Sequence, residues 1–91
     1  MIVSTLRTHE PKAITYYEDS LDISKSIGDR EGEAETSWIL GNILKDKKPR
    51  YALDLMEVAY DYTSKIAHHL AEGYKPIVEE QRRRVAQQQP E

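Results

Sequence analysis

The stretch from Glu33 to Ala59 constrains the fold more than any other, because it holds two helical stripes separated by a short polar break. Each stripe repeats apolar or small residues at steps of three and four, which places them on one face of a helix. The stripes consist of Ala34, Ser37, Trp38, Gly41 and Leu44, and of Ala52, Leu55, Met56, Ala59, Tyr62 and Ile66. Gly41 and Ala52 have minimal side chains, so the two backbones can approach closely. The pattern predicts an antiparallel helical hairpin.

This stretch resembles the tetratricopeptide repeat. That family's pattern has a Trp, then Leu-Gly, then an aromatic residue, and in the second helix an Ala with a large apolar residue four positions later. The residues that match it are Leu40, Gly41, Leu44, Ala52, Met56 and Ala59. Trp38 departs from the pattern because it lies two residues before Leu40 rather than three, and the loop before Ala52 is one residue short.

Parts of the pattern recur earlier in the chain. Residues 13–24 align with residues 52–63. Each segment is preceded by the same pair of residues, a leucine and a proline five positions later: Leu6 with Pro11, and Leu44 with Pro49. The period is about forty residues, longer than the roughly 34 of the standard repeat. In this respect the chain resembles long-period arrays such as the spindle-orientation scaffolds and bacterial multi-repeat proteins. The resemblance implies an all-α fold of antiparallel helical hairpins, stacked as a short solenoid.

Caps and prolines divide the chain into helical segments, which we expect to form one domain over residues 1–91. The predicted segments are 1–8, which matches only the end of a first helix, followed by 11–27, 30–46, 49–72 and 76–88. Gly28 suits a left-handed cap, and Asp29 suits the N-cap of the next helix. A start of the last helix at Glu72 is the alternative, but it would place Pro76 inside a helix at a cost of about 3 kcal/mol.

Composition narrows the class of protein. The chain has no Cys, so it has no disulfide framework, and its net charge of −3 argues against a general nucleic-acid binder. Residues 1–9 do not combine a basic start with a long apolar run, so we expect no signal peptide, and the sequence contains no run of eighteen apolar residues. We therefore expect a cytoplasmic protein that does not enter a membrane.

No residue pattern indicates catalysis. The chain has no glycine-rich phosphate loop and no hydrolase nucleophile motif. His68 and His69 are adjacent, so on a helix they point about 100° apart and cannot chelate one ion as an i, i+4 pair does. We expect a protein that is not an enzyme and that holds no metal and no cofactor.

In the tetratricopeptide family the first helix of each pair lines a concave groove that receives a peptide. By position, the resemblance assigns Glu35, Trp38, Ile39, Asn42 and Lys45 to this groove. For Trp38 we favour the alternative that it packs in the core. Asn42 directly follows Leu-Gly, where family members often use an amide to bind a ligand backbone. The charges differ from the carboxylate-clamp type, which has lysine where Trp38 stands.

The arginine run at residues 82–84 allows two interpretations. Arginine pairs well with carboxylates, so Arg83 is a candidate for binding an acidic partner. The run also suits a helix C-terminus and can pair with Glu79 and Glu80 on its own helix. We retain Arg83 as a partner-binding candidate beside the groove residues.

Three functions fit the sequence. The leading hypothesis is a non-catalytic module or adaptor that binds a protein or peptide partner. The second is a structural helical domain that forms a homo-oligomer, because the helix after Pro11 has an apolar face without its N-terminal partner helix. The self-association residues would be Ile14, Tyr17, Leu21 and Ile23. The third is a nucleic-acid-associated factor that uses Lys47, Lys48, Arg50 and the arginine run.

Overall fold

A computed structural model describes the backbone of residues 2–88 and the side chains of residues 11–88. This part of the chain forms four helices and no strand, so the all-α prediction is confirmed. The helices are α1 (Ile2–Ile27), α2 (Arg30–Leu44), α3 (Pro49–Ile66) and α4 (His68–Gln87). None of these described helices is both long enough and apolar enough to cross a membrane.

The junction between α1 and α2 follows the predicted capping. Gly28 has a φ of 74°, the only positive φ among the described residues. Its N–H donates to the Lys25 carbonyl at 3.3 Å, and the Asp29 N–H donates to the Ser24 carbonyl at 2.9 Å, as in a Schellman motif. The Asp29 carboxylate then accepts a 2.9 Å hydrogen bond from the Gly32 N–H. One residue thus ends α1 and the next starts α2, as predicted.

Several predicted helix boundaries are wrong. The predicted break between segments 1–8 and 11–27 does not occur, because residues 2–27 form the single helix α1, which contains Pro11. The predicted segments 49–72 and 76–88 are also wrong, because α3 ends at Ile66 and α4 runs from His68 through Pro76. The prediction gave the cost of an interior proline too much weight. Residues on both sides of Pro76 are buried on one face of α4, whereas Pro76 itself is exposed.

α3 and α4 are joined through a single residue, Ala67. Its N–H donates to the Thr63 carbonyl at 2.8 Å, which ends α3. Its carbonyl accepts from the N–H groups of Leu70 and Ala71 at 2.9 and 3.2 Å, which starts α4. At the other junction, α2 ends at Leu44 rather than at the predicted residue 46, and the Lys48 N–H bonds to the Leu44 carbonyl at 2.8 Å.

The core lies where α1, α2 and α3 meet. It contains Leu21, Leu40, Leu44, Ala52 and Leu55, with Ile14 and Tyr17 packed against it. A Cβ placed on Gly41 would lie 3.0 Å from the Met56 Cγ and 3.1 Å from the Ala52 carbonyl oxygen. The close approach predicted for Gly41 and Ala52 is therefore confirmed. The second stripe ends earlier than expected, because Ile66 is 63% exposed.

Each helix packs against the next one in the sequence. Gln81, near the end of α4, bonds to Pro49 at the start of α3, whereas Leu70 near the start of α4 lines a cleft with Ile66 at the end of α3. α3 and α4 therefore run in opposite directions. α2 and α3 do so as well, since Gly41 lies against Ala52 and the earlier Ala34 shares a cleft with the later Tyr62.

Candidate functional site

An aromatic stack joins α2 to α4. The rings of Trp38 and Tyr74 lie 4.0 Å apart between centroids and 6° from parallel. Trp38 is half-buried rather than enclosed in the main core, so its predicted core position is only partly met. The stack connects two helices that share few other contacts. Part of the Trp38 indole remains accessible to solvent beside α2.

A first cleft lies on one side of this stack. It has a volume of about 130 Å³ and is formed by the first turns of α2, the end of α3 and the start of α4. Its apolar lining includes Ile66, Leu70 and Tyr74, and its charged lining is Glu31 and Glu35. Ile66 and Leu70 are 63% and 57% exposed. This end of the surface therefore combines accessible apolar area with negative charge.

A second cleft lies at the other end of α2. It has a volume of about 230 Å³ and is lined by Met56, Ile77, Lys45 and Arg84, among others. Ile77 is 41% exposed, so this cleft also offers apolar area. Lys45 supplies positive charge here, whereas the charge of Arg84 is balanced by its ion pairs with Asp46 and Glu80. We refer to the two clefts with the Trp38–Tyr74 stack between them as the α2–α4 surface.

Gln81 fixes α4 beneath this surface. Its side chain is 2% exposed, and its Nε2 donates 3.0 Å hydrogen bonds to the carbonyls of Lys45 and Pro49. Sequence reasoning placed this residue in the last helix but missed its role, because its hydrogen-bond partners lie more than thirty residues away in the sequence. A recurrence in the sequence would have indicated it. The spacing of Ala71, Tyr74, Val78 and Gln81 equals that of Ala34, Ser37, Gly41 and Leu44.

The arginine run forms ion pairs within the chain. Arg82 reaches Glu57 of α3 at 2.9 Å, and Arg84 reaches Asp46 at 2.6 Å and Glu80 at 3.7 Å. Arg83 pairs with Glu80 at 2.6 Å. These contacts match the structural interpretation of the run, although they involve α3 and the α2–α3 loop more than the predicted neighbour Glu79.

The Glu80 carboxyl has a pKa below its usual value. The main cause is its hydrogen bond with Arg83, followed by the charge of Arg83 and by Arg84. On α3, the pKa of the Tyr51 hydroxyl is raised by partial burial and by the nearby charges of Glu18 and Asp22 on α1. The Glu80 shift thus arises from ion pairs within α4, and the Tyr51 shift from burial beside the carboxylates of α1.

The predicted partner-binding residues do not all meet at one place. Glu35 lines the first cleft and Lys45 the second. Asn42 is half-buried on α2 between them, and its Nδ2 donates to the Trp38 carbonyl at 2.8 Å, so its amide is partly occupied by its own helix. Ile39 is 42% exposed but lines neither cleft, and Arg83 is exposed on α4 outside both.

The predicted self-association residues divide into two groups. Leu21 is 4% exposed in the core, and Ile14 and Tyr17 are half-buried against it, so these three face α2 and α3 rather than an open surface. Neighbouring helices of the same chain already cover Leu21, so a role for it in self-association stays a prediction. Ile23 is 60% exposed and remains available.

A wider cleft of about 400 Å³ lies between the end of α1, the start of α2 and α3. Its cations Lys25, Arg30 and Lys65 are mixed with the carboxylates of Glu33 and Asp61, and Lys65 pairs with Asp61 at 3.3 Å. Within residues 11–88, no group of three or more potential ligand side chains is arranged to hold a metal ion. His68 lies 3.9 Å from Glu72 on the exposed side of α4.

Comparison of the chain with models of known protein families, with characterised proteins and with solved structures finds no match.

Proposed function

We propose that this chain is a non-catalytic protein-interaction module of tetratricopeptide type, and that its α2–α4 surface binds a segment of another protein. The observation that carries the proposal is the pair of clefts on either side of the Trp38–Tyr74 stack, each with exposed apolar side chains and a charge of its own sign. Exposed apolar area beside convergent charge is typical of a recognition surface.

The helix arrangement supports the tetratricopeptide interpretation. Sequential helices pack on each other, and Gly41 lies against Ala52 where the family places small residues. The pattern of Ala34, Ser37, Gly41 and Leu44 in α2 recurs at Ala71, Tyr74, Val78 and Gln81 in α4. In this proposal α2 and α4 are the first helices of successive repeats, stacked so that both line the concave side of a short solenoid.

The charges suggest the chemistry of the ligand. Glu31 and Glu35 stand at one cleft, and Lys45 with Arg84 at the other. Glu35 and Lys45 are ten positions apart on α2, which corresponds to about 15 Å along a helix axis. An extended peptide covers this distance with about five residues. The matching ligand has a basic residue at one end, apolar residues between, and an acidic residue at the other end.

Fluorescence anisotropy with labelled peptides tests this proposal. The probes are peptides of about eight residues with a basic end, an apolar middle and an acidic end, in both chain directions, beside scrambled peptides of equal composition. We expect the ordered peptides to bind more tightly than the scrambled ones. Glu35→Lys should weaken binding about tenfold, and so should Lys45→Glu, since each places like charges together.

The matched control is Asp54→Lys, which reverses a charge on the exposed side of α3 away from both clefts. It should leave the dissociation constant unchanged. Equal affinity for ordered and scrambled peptides, or an equal loss of affinity in the Asp54→Lys variant, would contradict the proposed site.

A further inference from the structure

α1 carries an exposed apolar strip that the rest of the described chain does not cover. Tyr16, Ile23 and Ile27 are 66%, 60% and 71% exposed. Steps of seven and four residues place all three on one side of the helix, away from the side on which Leu21 meets the core. Three large apolar residues aligned on one helix face form a contact surface rather than isolated exposed side chains.

The ring of Tyr16 is exposed and contacts one neighbouring ring. It makes an edge-to-face contact with Tyr17 at 5.2 Å between centroids and 75° between planes. Tyr17 in turn packs against the core. Beside Tyr16 lies a shallow groove of about 420 Å³, which is also lined by Pro11, Lys12 and Thr15. α1 therefore presents an exposed aromatic ring next to a shallow groove, at nearly the same level along the helix.

Charges flank Tyr16 in a pattern suited to a second copy of the same helix. Lys12 and Asp19 are both exposed and are seven residues apart, so they point in nearly the same direction about 10 Å from each other. The midpoint between them falls next to Tyr16. If another α1 lies antiparallel across that midpoint, each Lys12 comes level with an Asp19 of the other copy.

The opposite side of the molecule does not offer a matching surface. One side of α4 carries charged residues at three- and four-residue steps, namely Glu72, Lys75, Glu79, Arg82 and Arg83. Arg82 is already paired with Glu57. The exposed apolar residues of α4, Leu70 and Ile77, line the clefts of the α2–α4 surface instead. Burying the α1 strip against this charged side would desolvate ion pairs without compensation.

We propose that two copies of this chain pair through α1 in an antiparallel, two-fold symmetric contact centred next to Tyr16. Each Tyr16 enters the groove at Pro11 and Thr15 of the second copy, and Lys12 of each copy pairs with Asp19 of the other. In this register Ile23 and Ile27 come level with the first turns of the other α1, which extends back to Ile2. The same patch serves both copies, so the assembly closes as a dimer rather than growing as a filament.

The test measures mass by sedimentation equilibrium and light scattering over a wide range of concentrations of the 91-residue chain. We expect a monomer–dimer equilibrium with no larger species. Lys12→Glu places two carboxylates opposite each other at both ends of the contact, and Asp19→Lys does the same with two ammonium groups. Each single variant should raise the dimer dissociation constant about tenfold or more.

The double variant Lys12→Glu/Asp19→Lys restores opposite charges across the axis, so it should return to within about threefold of the unmodified chain. Lys25→Glu is the matched control. It makes the same change in net charge at an exposed position on a different side of α1, and it should leave dimerisation unchanged. Circular dichroism of each variant checks that its helix content is retained.

Four results would overturn the proposal. They are a single-chain mass at every concentration, a mass that grows beyond two copies, a double variant as weak as the single variants, and a Lys25→Glu variant weakened as much as Lys12→Glu. None of these results bears on the α2–α4 surface, because that surface uses different helices.

Discussion

α1 and α4 are attached to the central α2–α3 pair by different chemistry. α1 is held by apolar contacts, with Leu21 in the core and Ile14 and Tyr17 packed against it. α4 is held by the buried amide of Gln81, by the Trp38–Tyr74 stack, and by ion pairs such as Arg82–Glu57. Their free sides differ as well, since α1 exposes an apolar strip and α4 exposes charges.

The two attachments differ in how strongly they hold a helix and in how closely they define its position. Apolar burial is strong but not directional, so it holds α1 without specifying its register closely. Hydrogen bonds from Gln81 contribute less free energy each, but they require particular distances and angles. α4 is therefore placed more specifically than α1, and the clefts of the α2–α4 surface depend on that placement.

The largest expected effect is at the apolar attachment. Leu21→Ala removes most of a buried side chain and leaves a cavity between α1, α2 and α3, which should lower the free energy of unfolding by about 2–5 kcal/mol. Chemical denaturation followed by circular dichroism measures it. Ile66→Ala is the control, because Ile66 is 63% exposed. A loss no larger than that of the control would show that α1 is not held by apolar burial.

The next largest loss of stability is expected for a change at the α2–α3 contact, because both α1 and α4 pack against this pair of helices. Gly41→Leu adds a side chain where even a Cβ would lie 3.0 Å from the Met56 Cγ and 3.1 Å from the Ala52 carbonyl. Overpacking of this kind should destabilise the protein by about 1–3 kcal/mol. A thermal melt measures it, with Gly73→Leu as the control, since a Cβ on Gly73 meets nothing within 4 Å. An unchanged melt would contradict the close helix contact.

Removing the polar attachment of α4 should lower the free energy of unfolding by less. Gln81→Met keeps a long side chain but removes both hydrogen bonds to the Lys45 and Pro49 carbonyls. Two bonds at about 0.5–1.5 kcal/mol each would give about 1–3 kcal/mol, and the packing that the methionine side chain retains reduces the expected loss of stability to about 1–2 kcal/mol. Gln87→Met on the exposed end of α4 is the control. If the two variants are equally stable, the Gln81 amide does not hold α4.

The smallest effect concerns pH. The pKa of Glu80 is lowered in the folded protein, chiefly by its hydrogen bond with Arg83. Its stabilising contribution is therefore complete above its usual pKa and is lost as pH falls through the lowered folded pKa. Glu80→Gln should reduce stability slightly at neutral pH, and the difference from the unmodified chain should disappear in acid. Denaturation at several pH values measures it, and a difference that widens in acid would contradict this account.

The parts of the fold that follow from local chemistry were predictable from the sequence. The stripes of α2 and α3 indicated the buried faces, and Gly28 with Asp29 indicated the α1–α2 junction, because a left-handed cap and an N-cap depend on residues close in sequence. The close approach at Gly41 followed from two small residues at the crossing of two stripes.

The start of α4 could not be found in the same way. A proline inside a helix is unfavourable, so the sequence pattern predicted that the last helix starts at Pro76. Burial of Ala71 and Val78, together with the bonds of Gln81, outweighs that cost, but these contacts involve residues distant in sequence. The α2–α4 surface was only half predicted for the same reason, since Glu35 and Lys45 were identified but their neighbours on α4 were not.

The two hydrogen bonds of Gln81 also determine how the chain tolerates a change in length. Lys45 and Pro49 stand at the two ends of the α2–α3 loop, and one amide nitrogen reaches the carbonyls of both at 3.0 Å. The separation of those carbonyls is therefore matched to the two hydrogens of a single amide group. A residue inserted between them moves one carbonyl out of reach and weakens the hold on α4 at Gln81, a residue more than thirty positions away in the sequence.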